Sequence, residues 1–341
     1  MDAYGLGRVV GEQGVLPQRA KKIDPSLPLR DGELLIDVES LNIDAASFKQ
    51  LKEAAGGDTA KIAAAIQAIV AERGKMQNPV TGSGGMLIGR VKEISPKHPA
   101  AGTLKVGDRL ATLVSLTLTP LVIDEIRAVK PEIDRVDIRG RAILFASGIY
   151  AKLPDDLPDT LTLAALDVCG APALVARYVK PGMRVVMLGA GKSGALCLAQ
   201  ARESMKGQGQ LIALDISEPA LKTLSDLALC DAYAKVDATQ GVEVMNTIAR
   251  LTDGHLADLV VNCASVPNTE MASILSVRDG GTVIFFSMAT SFTTAALGAE
   301  GVGKDVQMIV GNGYVPHHAE LTLALLRRQE GLRRLFEQRY V

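Results

Sequence analysis

The run Gly189-Ala-Gly191-Lys192-Ser193-Gly194 follows an apolar segment, Arg184–Leu188, and opens a helical pattern from Ser193 to Glu203. A strand that ends in G-x-G-x-x-G and passes directly into a helix is the entry unit of a doubly wound nucleotide-binding sheet. The glycines act differently. Gly189 permits the tight turn, Gly191 lets the backbone approach a diphosphate, and Gly194 allows helix and strand to pack closely. The helix start then offers unpaired amides and a positive dipole end to the anion. Asp215 stands after the next strand, 26 residues beyond Gly189. A carboxylate there accepts both ribose hydroxyls and repels a 2′-phosphate, which favours NAD over NADP. The Gly-Lys-Ser string is not a P-loop, because that motif needs glycine where Val186 stands. Methyltransferases that hold a nucleoside cofactor also pair a Gly-rich loop with an acid. Six strands in sequence, preceded by a whole β-domain, speak against them.

The segments around the motif support a parallel sheet. Strands are expected at 184–188, 210–214, 233–236, 259–263, 282–286 and 306–310, and helices at 193–203, 218–229 and 242–251. Strands alternating with helices of ten to fifteen residues wind into such a sheet through right-handed crossovers. The first half reads differently. Leu35-Ile-Asp-Val-Glu39 alternates as a half-buried strand does, and Gly, Pro and Asp punctuate further short strands. Ile62, Ala65, Ile66, Ile69 and Val70 form a single apolar stripe, with Asp58 placed to cap that helix and Gly74 to stop it. The expected division is 1–155, a β-rich domain with a helical insertion at about 46–74, and 156–341, the nucleotide domain. Lys152–Pro158, with two prolines, reads as the linker. The long connection from Met288 to Lys304 reads as a lid or binding loop.

Composition removes other functions. The 341 residues carry 37 Lys and Arg against 38 Asp and Glu, so no basic face for nucleic acid is implied. No apolar run reaches transmembrane length, and the first residues lack a signal-peptide pattern. Cys169, Cys197, Cys230 and Cys263 lie in apolar stretches without C-x-x-C spacing, and the four histidines complete no ligand set. These read as buried hydrophobes of a reduced, cytoplasmic protein. His317 and His318 read as a solvated helix start.

A β-domain with Gly107-Asp-Arg109, followed by Val179-Lys-Pro-Gly182 and the nucleotide strand, resembles the medium-chain dehydrogenase/reductase superfamily. Within it, the segments Val70–Gly89, Ala111–Ser115, Lys130–Val136, Phe286–Phe292 and Ala295–Asp305 are similar to the family of L-erythro-3,5-diaminohexanoate dehydrogenases. The resemblance implies a GroES-like catalytic domain and a Rossmann domain. It also implies NAD-dependent oxidative deamination of carbon 3 of the diamino acid, giving 5-amino-3-oxohexanoate and ammonium in lysine fermentation. Zinc-free quinone or enoyl reductases of the same superfamily are the alternative. A non-catalytic NAD-sensing module is a further one, but it leaves the polar loop Thr81–Gly85 unexplained. The zinc-dependent relatives' ligand motifs are missing: there is no cysteine before Cys169, Asn42-Ile-Asp44 stands near the first ligand's place, and Gly84-Gly-Met86 near the Gly-His-Glu motif. No metal is expected, and protons must move through side chains or water. Superfamily relatives are commonly dimers or tetramers that pair through the last strand of the nucleotide sheet, so the resemblance implies a homo-oligomer, most simply a homodimer, joined at Val306–Val310.

A hydride leaves carbon 3 only when its nitrogen is neutral, so a base must first deprotonate an ammonium group. Asp44 is the first candidate, at the superfamily's reactive position; the competing reading is a helix cap ahead of Ser47. Glu125 and Asp124 are the next candidates, or else solvated charges at a helix start. Ser83 and Thr81 lie in the Gly-rich loop, where their hydroxyls would hold substrate or orient water. Lys75 and Lys304 are the candidate partners of the substrate carboxylate. Ser265 and Ser287, after the fourth and fifth strands, join Gly189, Gly191, Lys192, Ser193, Gly194 and Asp215 as cofactor-binding residues.

Overall fold

The computed structural model describes residues 2–340, and the chain forms two compact units that meet in sequence between Asp155 and Asp156. The first unit contains β1 (Glu33–Ile43), α1 (Ala45–Ala54), α2 (Thr59–Arg73), β2 (Gly85–Ile94), β3 (Arg109–Thr112), β4 (Leu121–Lys130), β5 (Arg135–Phe145) and β6 (Tyr150–Lys152). Its sheet has the order β4-β5-β1-β2-β3-β6, with every neighbouring pair antiparallel. β1 lies inside that sheet and is buried along nearly its whole length, so Leu34, Ile36, Leu41 and Ile43 enter one core with Ile62, Ile66 and Val70 of α2. Each such side chain contributes roughly 1.5–3 kcal/mol on burial. The stripe expected on α2 is the buried one, and Asp58 Oδ1 caps it by accepting from the amides of Ala60 and Lys61. Gly74 ends the helix at φ +68°, where an added Cβ would lie 2.0 Å from the Ile23 carbonyl oxygen. The insertion is two helices rather than one, because Gly56 and Gly57 both adopt positive φ between them.

Arg8 fastens the amino-terminal segment to this unit. Its guanidinium is fully buried and donates to both Glu33 oxygens at 2.6 Å and to the carbonyls of Asp24 and Ser26. A buried pair of this kind is costly to break from one side.

The second unit contains α3 (Asp159–Leu166), α4 (Gly170–Tyr178), β7 (Arg184–Leu188), α5 (Lys192–Met205), β8 (Gln210–Asp215), α6 (Glu218–Asp226), β9 (Ala232–Lys235), α7 (Gly241–Leu251), β10 (Ala257–Asn262), α8 (Glu270–Ser276), β11 (Val277–Phe285), α9 (Phe292–Gly301), β12 (Val306–Val310), α10 (His318–Arg328) and α11 (Glu330–Tyr340). All neighbouring strands are parallel, in the order β12-β11-β10-β7-β8-β9. The direction of winding reverses between β7 and β10, which opens a crevice at their carboxyl ends. Among the described residues no single helix is long and apolar enough to cross a membrane.

Four expectations are corrected. Tyr150–Lys152 pairs with β3 and α3 starts at Asp159, so only the residues between them form a linker. The stretch from Met288 to Lys304 is a crossover built around α9, not a lid. His318 is buried and packs edge-on against Tyr314, where loss of hydration pushes its imidazole pKa down, so it is not solvated. Cys263 is only half-buried, whereas burial raises the thiol pKa of Cys169 to about 12 and of Cys230 to about 11.

Candidate functional site

The second unit carries a cradle made of backbone. Gly189 adopts φ +102°, its amide donates to the Leu214 carbonyl at 2.8 Å, and a Cβ there would lie 3.0 Å from the Ala264 nitrogen. At Gly194 a Cβ would sit 1.9 Å from the Gly189 carbonyl oxygen, so no larger residue fits without moving α5 off β7. A Cβ at Gly191 would meet nothing within 4 Å. The turn is closed on its protein side and open where a diphosphate approaches the first amides of α5, which fits a dinucleotide.

Asp215, at the end of β8, accepts from the Ala190 amide through Oδ2 and from the Ser217 amide through Oδ1, both at 2.7 Å. These bonds orient the carboxylate against the loop and leave each oxygen a further lone pair for a hydroxyl donor. Ser193 follows Lys192 in the first turn of α5. The Lys192 ammonium donates to Asp167 at 2.7 Å and lies 5.8 Å from the Tyr340 ring centroid, so its charge is already engaged. Ser287 stands beyond β11 at the carboxyl edge, and its hydroxyl accepts from the Ala289 amide at 3.2 Å. Ser265 is exposed beyond β10. Asn262 determines where both serines sit. Its carbonyl accepts from the Phe286 and Ser287 amides, its Oδ1 from the Ala264 amide, and its Nδ2 donates to Thr269 and Ser273. Sequence reasoning missed this residue, although a polar side chain at the end of Leu259-Val-Val-Asn262 interrupts the apolar pattern.

Lys304 does not join this edge. It precedes β12, so it lies at the amino edge of the sheet, one strand length (about 15 Å) from the carboxyl ends.

The first unit carries a cluster of side chains. Asp44 caps α1 through Oδ1, which accepts from the Ser47 amide at 3.1 Å, while Oδ2 is buried with no hydrogen-bond partner. Both sequence readings of Asp44 therefore meet in one residue: one oxygen caps, and the other is an unused acceptor. Ser47 is fully buried, and its Oγ lies 2.5 Å from Thr81 Oγ1 and 2.6 Å from Ser83 Oγ, which are 3.0 Å apart. Three hydroxyls thus form a ring over the start of α1. Asn78 holds the loop in place by accepting from the Val80 amide at 2.8 Å and donating to Gln50. Gly85, at φ +119°, admits β1 to this loop, since a Cβ would lie 2.0 Å from the Asn42 carbonyl oxygen. Asn42 Oδ1 is a second buried acceptor without a partner. Asp134, whose carbonyl accepts from the Ile43 amide, has its carboxyl pKa raised by burial, with the Asp44 charge adding to the rise and Lys52 opposing it. Sequence reasoning missed Ser47 as a partner of Thr81 and Ser83 because 34 and 36 residues separate them.

Two further candidates fall away from this cluster. Glu125 and Asp124 lie within β4 rather than at a helix start, and Glu125 bonds the Arg139 guanidinium at 3.2 Å. Through β5 they lie level with residues 38–40 of β1, on the order of 15 Å along the strand from Asp44. The Lys75 ammonium is fully buried and donates to the carbonyls of Pro17 at 2.7 Å and Gln18 at 3.3 Å, and burial pushes its pKa down to about 8. It ties down the amino-terminal segment and is not free to meet a carboxylate. Among the described residues no group of three or more His, Cys, Asp or Glu is placed to hold a metal ion.

Similarity to known proteins gives this geometry a family. The model of the L-erythro-3,5-diaminohexanoate dehydrogenase N-terminal domain matches residues 7–154. The L-erythro-3,5-diaminohexanoate dehydrogenase of Acetoanaerobium sticklandii is 55% identical over 339 residues, covering 99% of this chain and 98% of its own. That of Fusobacterium nucleatum is 54% identical over 342 residues, with the same coverage. The chain belongs to this family. The crystal structure of an alcohol dehydrogenase from Thermotoga maritima shares its fold, with a TM-score of 0.56 at 19% identity, covering 91% of this chain and 86% of that one. Members of the family are oxidoreductases.

Proposed function

We propose that this protein catalyses the NAD-dependent oxidative deamination of L-erythro-3,5-diaminohexanoate to 5-amino-3-oxohexanoate and ammonium. Identity of 54–55% with dehydrogenases of that name, end to end, carries the reading. When bound at the Gly189–Gly194 turn, NAD supplies the hydride acceptor. Asp215 supports NAD over NADP, since a carboxylate there repels a 2′-phosphate.

The first unit supplies the proton chemistry. Asp44 Oδ2, buried and without a partner, takes a proton from the carbon 3 ammonium group, leaving a neutral amine whose lone pair drives hydride departure. Asp44 releases that proton to solvent and, again a carboxylate, takes a proton from the water that adds to the iminium carbon; it returns this proton to the nitrogen, and ammonia leaves with the hydroxyl proton as ammonium while the carbonyl forms. Thr81 and Ser83, held by Ser47, present hydroxyl oxygens to the ammonium group or to that water. Lys75, engaged with backbone carbonyls, does not serve the substrate carboxylate. β12 leaves Met308 and Val310 exposed at the sheet edge, which supports a homodimer joined along that strand.

The test is direct. Purified protein with NAD and 3,5-diaminohexanoate should release ammonium and reduced cofactor in equal amounts. Turnover of a quinone with NADPH, and none of the diamino acid, would overturn the assignment.

A further inference from the structure

The sheet of the first unit has a second concave region, which the reaction above does not use. Two irregularities shape it. The pairing of β1 with both neighbours shifts between Val38 and Ser40, and that of β4 with β5 shifts between Ile123 and Glu125. Such bulges bend a sheet and re-aim its side chains, here those of Glu39 and Asp124. Gly140 lets β5 lie close to β4, since a Cβ would be 2.3 Å from the Val122 carbonyl oxygen. The result is a cavity of about 500 Å³ with Val38, Ile138 and Gly140 among its lining residues. That volume falls within the range of small-molecule sites.

Charge distinguishes this cavity. Five cationic side chains line it against three acidic ones. Two of the cations are satisfied: Arg90 pairs with Glu39 at 3.0 Å and Lys92 with Asp37 at 2.9 Å. The other three are met less well. Asp124 is shared between Arg139 at 3.8 Å and Arg141 at 4.0 Å, while Glu125 takes Arg139 at 3.2 Å and Arg127 only at 3.8 Å. Charge-assisted bonds normally lie near 2.7–2.9 Å, so most of these are contacts at a distance. The Arg141 Nε is buried and has no hydrogen-bond partner. A buried guanidinium N–H without an acceptor calls for an anion or a water to complete it. The forked donors of several arginines suit a group with many terminal oxygens and more than one negative charge.

We propose that this cavity binds a terminal diphosphate group, free or at the end of a nucleoside diphosphate and unlike the internal diester of NAD, through Arg127, Arg139 and Arg141, and that Asp124 competes with it for the guanidinium groups. The site is distinct from the Gly189 cradle, which NAD saturates in the test. Inorganic diphosphate is titrated calorimetrically into the NAD-saturated protein at low ionic strength, with sulfate at matched ionic strength as control. Binding tighter than about 1 mM is expected, with sulfate weaker by at least roughly tenfold. Arg141→Met should weaken diphosphate roughly tenfold or more, and Arg139→Gln, whose side chain is exposed, should weaken it in a fold left intact. Asp124→Asn should tighten it several-fold, an effect that a purely structural role for Asp124 does not produce. ADP in the same NAD-saturated protein separates the sources: ADP binding that depends on Arg141 and exceeds diphosphate assigns the site to a nucleotide, and the reverse order to free diphosphate. Absence of binding up to about 10 mM, equal binding of sulfate, or unchanged affinity in Arg141→Met and Asp124→Asn overturns the proposal.

Discussion

In the second unit the cradle is backbone: Gly189, Gly191 and Gly194 shape it, and side chains only steady it. In the first unit the cluster is side chains brought together from β1, α1 and the Thr81–Gly85 loop. The difference decides what each can tolerate. A cradle set by backbone geometry fails when a single methyl group is added, because the Gly189 carbonyl oxygen already occupies the space above Gly194. A cluster of hydroxyls and carboxylates keeps its shape when one group is neutralised, but loses a proton acceptor.

That contrast can be broken in several ways. Gly194→Ala should have the largest effect, with NAD affinity down by about a hundredfold or more, or the second unit unfolded, since the added carbon would lie 1.9 Å from an oxygen. Cofactor fluorescence titration with circular dichroism checks it, and a well-folded variant of normal affinity would contradict the backbone account. Asp44→Asn should lower kcat by about 10²–10⁴ while leaving the NAD dissociation constant within about twofold, because it changes proton chemistry and not the cradle. Arg8→Met leaves the Glu33 carboxylate buried without a counter-charge, holding only the Arg30 amide, so the first unit should lose about 3–5 kcal/mol in denaturant unfolding. Retention of full stability would show that this ion pair is not what anchors the amino-terminal segment. Ser47→Ala removes one member of the hydroxyl ring and should cost about tenfold in kcat/KM, with Ser47→Thr recovering part of it.

The smallest effect concerns Lys75. Its pKa is lowered from 10.5 to about 8 on folding, so the unfolded chain binds more protons between those values and stability rises with pH across that window. Below pH 8 the buried ammonium is charged in both states, and its desolvation cost is fully present. Relative to Lys75→Met, the wild type should gain on the order of 1 kcal/mol between pH 8 and 10 in urea unfolding. Parallel curves for the two proteins would refute the sign.

Legibility in sequence follows the same contrast. The glycines of the turn, the Asp58 cap and the Gly74 stop are local signals, each acting within a few residues, and the turn, the cap and the helix end form at those positions. Ser47 carries no such signal, because its partners are set by the pairing of β1 with β2 and the loop that precedes β2. The stretch from Met288 to Lys304 reads as a lid or binding loop by its length alone; a helix forms within it, with Ser291 Oγ accepting from the Thr294 amide and with Ala295 and Ala299 buried. Lys304 looks favourable by its nearness to the last strand, but nearness in sequence does not say which edge of a parallel sheet a residue occupies. Lys75 and Glu125 read as available charges, and only tertiary contacts reveal that Lys75 is bonded to carbonyls and Glu125 to Arg139.

The central claim is that Asp44 of the first unit takes the proton from the substrate ammonium group before the hydride departs. Single-turnover rates of cofactor reduction in wild type and Asp44→Asn, measured from pH 7 to 10, test it most directly. With Asp44 in place the rate should vary little with pH across that range. In Asp44→Asn it should be low at pH 7 and climb about tenfold per pH unit as solution base supplies the neutral amine, approaching wild type at the alkaline end. An Asp44→Asn enzyme as fast as wild type at pH 7, or one equally slow at every pH, would contradict the account.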